Sequence, residues 1–337
     1  NQRDRSNGLG GGFAAYGIYP QFAELYALHI MYQNQASAHK TEQYLEDYFQ
    51  IEHKEVIPHR HDTVISHHPF LRRYFVKPYP VGEKTPDRIF ERLSEDELVI
   101  KNVMRINTGF DGAFVFSCGK NMGVFKGVGY PEDLAVFFKL EEYSAYIWIA
   151  HGRFPTNSAV WWGGAHPFSL LDWAVVHNGE ISSYGINKRF LENFGYNCTL
   201  FTDTEVIAYI FDLLVRRHDL SFEMASKVMA PPFWDEIEKM PDEEKELYTT
   251  LRATYGGALL NGPFSVIAGF KNGIIALNDR VKLRPLVAAR KDDFAYVASE
   301  EAAIRIVQSE LDRVWSPAGG EPVIVMLEEP AAVPTAP

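Results

Sequence analysis

Three short runs between Ala150 and Ala208 carry the residue types needed to hold an amino acid by its backbone groups and break an amide in its side chain. Arg153, in His151-Gly152-Arg153-Phe154, offers a planar guanidinium fork that matches a carboxylate with two parallel hydrogen bonds. Asn178 and Gly179, in Val176-His177-Asn178-Gly179-Glu180, offer a side-chain amide N–H and a backbone N–H. Those are the two donor types that make an oxyanion hole. Asp203, in Phe201-Thr202-Asp203-Thr204-Glu205, offers an anion for an ammonium group. Each run also has a purely structural reading. A lone arginine pairs with a nearby surface acid. Asn-Gly is the commonest hairpin turn. Thr202 and Glu205 are spaced as a capping box, with Asp203 in a first helical turn where the dipole favours a negative charge. The last two roles are compatible, because a helix start would position the Asp203 carboxylate rigidly.

The elements that must position these residues are mostly short strands. From 110 to 327, apolar runs bounded by Gly, Asp, Asn or Pro predict strands at 110–117, 121–126, 145–149, 173–176, 264–270, 273–277, 286–289, 294–298 and 322–327. Helical periodicity interrupts them at 131–139, 203–217, 221–229 and 300–310. Val206, Ile207, Ile210, Phe211 and Leu214 fall on one face of the second of these. Strands in two groups with helices to cover both suggest a layered α–β–β–α sandwich, where periodicity alone reaches only an α+β fold. Residues 1–35 run from a glycine-rich stretch, Gly8 to Gly12, into what reads as two paired strands around a Tyr19-Pro20 turn. Residues 36–106 differ: Thr41-Glu42-Gln43-Tyr44-Leu45-Glu46 predicts a short helix, and Ser94-Glu95-Asp96-Glu97 is a capping-box pattern opening another. This stretch reads as an α+β insertion. The domain is expected to run over 1–328, with 329–337 a flexible tail lacking apolar periodicity.

Composition narrows the function. The 337 residues are 46% hydrophobic, ample for a large core, and 33 basic against 44 acidic residues give a net charge of −11. That balance argues against nucleic acid or an anionic membrane as partner, since both reward clustered Lys and Arg. Two cysteines far apart, Cys118 and Cys198, build neither a disulfide framework nor a zinc or iron–sulfur site, and a soluble, cytoplasmic protein is expected. The Gly8–Gly12 stretch lacks the Gly-Lys-Ser/Thr ending of a phosphate loop. His53, His59, His61, His67 and His68 read as a solvated loop, because no helical spacing or nearby cysteine completes a metal site. No metal is expected.

The order and content of the three runs closely resemble the class II glutamine amidotransferases, whose catalytic domain is an N-terminal-nucleophile hydrolase. The resemblance extends to Arg3-Asp4-Arg5-Ser6-Asn7-Gly8, Ala165-His166-Pro167-Phe168, Asn278-Asp279-Arg280 with Leu283-Arg284-Pro285-Leu286, Ala298-Ser299-Glu300 and Pro317-Ala318-Gly319-Gly320-Glu321. It covers the chain except for 36–106. It implies a four-layer sandwich and a pocket for L-glutamine. In that pocket Arg153 holds the α-carboxylate, Thr156 adds a hydroxyl contact, Asp203 holds the α-ammonium, and Asn178 and Gly179 form the oxyanion hole.

The family attacks with a cysteine at its mature N-terminus, using that residue's own α-amino group as base. This chain begins at Asn1. Neither Cys118 nor Cys198 can carry a terminal amine, so the nucleophile is expected to precede Asn1, the alternative being a degenerate subunit. Gly10-Gly11-Gly12-Phe13-Ala14-Ala15-Tyr16-Gly17-Ile18-Tyr19-Pro20, Gly127-Val128-Gly129-Tyr130-Pro131 and the insertion look most like the stand-alone amidotransferase subunit of archaeal-type glutamate synthases. That implies ammonia passing to a flavin subunit that aminates 2-oxoglutarate. FMN, iron–sulfur clusters and electron-transfer subunits would then belong to partners, and none of these cofactors to this chain. The alternatives are an amidotransferase subunit of another synthase, N-methylglutamate-synthase-like or purine-pathway, or a non-catalytic assembly subunit.

Overall fold

Alternation within single strands decides how the sheets stack. In the strand Trp173–Gly179, Trp173 and Val175 join the core beneath the helices, whereas Ala174 and Val176 join a second core between two sheets. A two-residue period sends successive side chains to opposite faces, so one strand feeds both cores. The computed structural model describes residues 6–65, 67–79, 93–154 and 160–328. Within them Trp173–Gly179 lies in a five-stranded antiparallel sheet, ordered Val323–Met326, Gly273–Asn278, Phe264–Phe270, Trp173–Gly179, Phe168–Leu170. A three-stranded sheet stacks on it, with Gly11–Tyr16 between Met122–Gly127 and Ile147–Gly152. Contact is close: a Cβ on Gly269 would stand 2.5 Å from Ile149 Cδ1 and 2.9 Å from the Tyr16 ring. Helix Asp203–Phe211 covers the outer face of the larger sheet, and helix Pro131–Phe137 that of the smaller. The layers are therefore α–β–β–α, as the strand and helix pattern predicts.

Several local readings are corrected. Residues 11–16 and 26–32 are both strands but do not pair with each other; Gly11–Tyr16 enters the stacked sheet, while Tyr26–Tyr32 belongs to another. Only the last two glycines of the glycine-rich stretch, Gly11 and Gly12, are strand. Gly12 is there because a Cβ would fall 2.5 Å from His166 O and 2.6 Å from Phe125 O. The expected helix over 203–217 is α-helical only to Phe211 and continues as a π-helical segment, Asp212–Arg217. The short helix at 41–46 runs over Gln35–Tyr48, capped by Asn34 accepting from Ser37 N–H at 2.9 Å. Phe110 lies at the C-terminal cap of helix Glu95–Gly109, so the strand predicted from 110 begins at Ala113.

Ser94 caps Glu95–Gly109, accepting from Glu97 N–H, but the Glu97 carboxylate goes to Arg216 and Arg217 rather than back to the cap. Helices Gln35–Tyr48 and Glu95–Gly109 and strands Phe49–Val56 and Phe70–Pro78 form one α+β layer. Its strands extend Tyr26–Tyr32 and Ala113–Ser117 into a four-stranded sheet. A small sheet of Val287–Lys291, Phe294–Ala298 and Arg313–Trp315 flanks the main one. No described helix is long and apolar enough to cross a membrane. The tail at 329–337 and the run 1–5 lie outside the described residues.

Candidate active site

The two stacked sheets part at one end into a cleft of about 1980 Å³, and Arg153, Asn178, Gly179 and Asp203 all line it. Thr156 lies outside the described residues. Each of the four is delivered by a different local rule.

Asn178 has the same parity as Ala174 and Val176, so the pleat turns it to the face between the sheets, where it is exposed to the cleft. The hairpin reading of Asn-Gly is wrong here. The strand predicted to end at Val176 runs through Gly179, pairing Asn178 with Ser265 and Gly179 with Phe264. Gly179 sits at φ +147°, and a Cβ would lie 2.1 Å from Pro263 O. Only glycine fits. Ser265 pairs in turn with Asn278, placing Asn178, Ser265 and Asn278 in one polar row across the sheet.

Arg153 follows the strand Ile147–Gly152, which extends past the predicted end at Ile149. Its backbone N–H donates to Gly10 O at 2.9 Å, and the Ser6 hydroxyl donates to its carbonyl at 3.4 Å. The side chain is buried, and burial lowers its pKa against the support of the Asp203 charge. A guanidinium nevertheless stays protonated, so the cleft holds a fixed, poorly hydrated positive charge.

Asp203 opens helix Asp203–Phe211, but the capping box does not form. Thr202 makes no side-chain cap bond, and Glu205 turns instead to the preceding loop, accepting from Thr199 N–H at 3.1 Å and Leu200 N–H at 2.9 Å. Asp203 accepts from Ile181 N–H at 3.1 Å, and its other oxygen is 3.4 Å from His177 Nδ1. Burial pushes its pKa up, but His177 and the Ile181 and Thr204 N–H groups together outweigh that and hold it below the ordinary value. It is an anion aimed at the same cleft as Arg153.

Beneath these residues lies a layer that the motifs alone do not show. His151 stacks on His166 with centroids 4.2 Å apart; His166 is buried, and His151 is half-buried with its Nδ1 covered. Burial and neighbouring positive groups take His151 down to about 4 and His166 well below the ordinary imidazole value, so both are neutral. His177 N–H donates to His166 Nδ1, which assigns the His166 proton to Nε2; that N–H faces Thr204 Oγ1 at 3.3 Å. Thr204 Oγ1 is itself 3.4 Å from an Asp203 oxygen. The chain of contacts fixes the Asp203 carboxylate from behind.

Lys126 is buried in the same layer. It donates to Gly163 O at 2.9 Å and Pro167 O at 3.1 Å, which uses both N–H bonds of a neutral amine. Burial takes it down to about 7, Glu205 opposing and Arg153 adding to the shift. A lysine inside the apolar strand Met122–Gly127 was the signal available in the sequence. The unfolded amine keeps its proton to about pH 10.4. Between pH 7 and that value the unfolded chain therefore binds a proton the folded chain lacks, and stability rises with pH by up to about 1.4 kcal/mol per unit. Denaturant unfolding at pH 7–9 should show this rise in the native chain and a smaller one in Lys126→Met. Equal slopes would mean that the amine stays charged.

Both cysteines are buried and free, and neither lines the cleft among the described residues. Burial pushes the Cys118 thiol up to about 12 and raises that of Cys198 as well, so neither is a ready thiolate.

The family model for class II glutamine amidotransferases matches residues 16–333. An uncharacterized protein of Archaeoglobus fulgidus is 51% identical over 331 residues, 97% of this chain and 86% of that protein. A glutamine amidotransferase-like protein of Rhizobium meliloti is 30% identical over 60% of this chain and 59% of its own length. An amidophosphoribosyltransferase of Methanocaldococcus jannaschii is 27% identical over 66% of this chain and 42% of its own. Among solved structures, the glutamine phosphoribosylpyrophosphate amidotransferase from B. subtilis aligns with a TM-score of 0.40 at 22% identity, covering 61% of this chain and 38% of that one. The family match spans the strands and helix that carry Arg153, Asn178, Gly179 and Asp203, and the chain belongs to the class II glutamine amidotransferases, with the α+β layering of their N-terminal-nucleophile hydrolase fold.

Proposed function

We propose that this protein is the ammonia-releasing subunit of a multi-subunit glutamate synthase in the cytoplasm. It hydrolyses L-glutamine and passes ammonia to a separate flavin subunit that aminates 2-oxoglutarate. The observation that carries the glutaminase half is the meeting of Arg153, Asn178, Gly179 and Asp203 in one cleft. An α-amino acid has a carboxylate and an ammonium on one carbon, and a buried cation and a half-buried anion lining one cleft complement that pair. Asn178 and Gly179 line the same cleft and are assigned the charge that develops on the carboxamide oxygen.

The nucleophile in this reading is a cysteine preceding Asn1. Its sulfur attacks the carboxamide carbon while its α-amino group takes the thiol proton and returns it to the departing ammonia. Water then hydrolyses the γ-glutamyl thioester, releasing glutamate and restoring the thiol. Two features support this source. The strand Ile147–Gly152 has a free edge along the cleft among the described residues. Ser6 also lines the cleft, so a residue just ahead of Asn1 is within about 20 Å of it along an extended chain. FMN and the iron–sulfur clusters are assigned to the partner subunits. That assignment rests on the family resemblance.

Substrate binding is tested by glutamine kinetics in the chain carrying its nucleophile. Arg153→Lys and Asp203→Asn should each raise KM about 10- to 100-fold, the cost of one charge-assisted hydrogen bond lost from a buried site. An unchanged KM would make either residue structural. The acceptor is tested with glutamine labelled at the amide nitrogen. Label should enter the α-amino group of glutamate only when the flavin partner, a reductant and 2-oxoglutarate are present; label released solely as ammonia in their presence would refute the glutamate synthase assignment.

A further inference from the structure

The histidine-rich connector, read from its sequence as a solvated loop, does not stay apart in the fold. His59, His61 and His68 converge so that one ring nitrogen of each lies within 4.8 Å of the others. His53 does not join them: it sits on the strand Phe49–Val56 and stacks on Phe22. Two of the three rings are already oriented. His59 Nδ1 faces Ile57 O at 2.7 Å and His68 Nδ1 faces Pro69 O at 2.9 Å. A carbonyl can only accept, so both rings carry their proton on Nδ1 and leave the Nε2 lone pair for another partner. His59 Nε2 is buried and has none. An imidazole whose distal N–H is held by a backbone carbonyl is the arrangement that prepares a histidine to bind a metal.

From this convergence we infer that His59, His61 and His68 bind one divalent transition-metal ion of the zinc class. Three imidazoles with an open fourth position suit zinc, cobalt or nickel rather than magnesium or calcium, which prefer oxygen. At metal–nitrogen distances of about 2.0–2.1 Å, the nitrogens of a tetrahedral site lie about 3.4 Å apart. The rings must therefore close slightly, and His61, which is exposed, is free to swing inward. Nearby cations are already compensated: Arg60 pairs with Glu141, and Lys139 lies 3.7 Å from Glu142. Asp62 lines a surface depression together with His59 and His61 and adds negative charge.

The site would act as a clip. Its loop already lies on the end of helix Pro131–Phe137, with His59 stacked on Phe137 at 5.0 Å and Arg60 N–H donating to Phe137 O at 2.8 Å. The first residues of that helix, Pro131 and Glu132, line the cleft. A bound ion would hold the connector against one wall of the active site without touching the chemistry.

Cobalt(II) titration of chelator-treated full chain, followed by electronic absorption, tests the inference. The expected result is one ion per chain with a tetrahedral spectrum, and His59→Ala or His68→Ala should weaken binding at least about 100-fold. His53→Ala and His67→Ala should bind as the native chain does. Zinc should raise the melting temperature of the native chain and not that of the triple His59→Ala, His61→Ala, His68→Ala variant. Circular dichroism in chelator establishes that the variant folds; if it does not, the single His61→Ala variant, which alters only an exposed ring, carries the comparison. No stoichiometric binding in the native chain, or binding undiminished in the variants, would overturn the site.

Discussion

Asn178→Ala should lower kcat for glutamine hydrolysis by about 10²–10³ while leaving KM within a few-fold. In the proposed mechanism the loss is that of one oxyanion-hole donor. The asymmetry follows because the side-chain N–H is wanted where charge develops on the carboxamide oxygen, more in the transition state than in bound glutamine. The geometry makes this a clean substitution. Asn178 is exposed to the cleft, on a strand held on its Phe264–Phe270 side by backbone pairing that alanine preserves. Stability should therefore change little, and a variant that lost activity and folding together would show that Asn178 is structural. Gly179 offers no such separation, because a Cβ 2.1 Å from Pro263 O would distort the strand itself.

The largest expected effect concerns the nucleophile. A chain whose first residue is Asn1 should fold and yet hydrolyse no glutamine, because a carboxamide nitrogen does not replace a thiolate. Supplying the preceding segment with a processed N-terminal cysteine should create glutaminase activity, and alkylating that cysteine should abolish it. Cys118 and Cys198 are natural controls. Both are buried with raised pKa values, so brief alkylation should leave them unmodified, and Cys118→Ala should retain activity once the N-terminal cysteine is present. Glutaminase activity in the Asn1-initiated chain would overturn the assignment of the nucleophile.

Much of this protein is decided within short stretches of sequence. The runs around Arg153, Asn178 and Asp203 are local, and what they encode is local: a residue just past a strand end, a side chain of fixed parity on a strand, and a carboxylate at a helix start. Apolar periodicity likewise sets most of the strands and the α+β class, because burial acts on faces that a period of two or 3.6 defines. Where two local rules competed, only tertiary structure decided. Asn178-Gly179 satisfies a hairpin and a strand equally well, and it is strand because Ser265 and Phe264 pair with it across the sheet. Thr202 and Glu205 have the spacing of a cap, but the Glu205 carboxylate accepts instead from the two N–H groups of the loop at Thr199 and Leu200. Of the layer of His151, His166 and Lys126, only a lysine inside an apolar strand was visible in the sequence, and the convergence of His59, His61 and His68 was not legible at all. They join residues from separate strands and loops, and desolvation, which sets their protonation, depends on what the whole fold packs around them rather than on any neighbour in the chain.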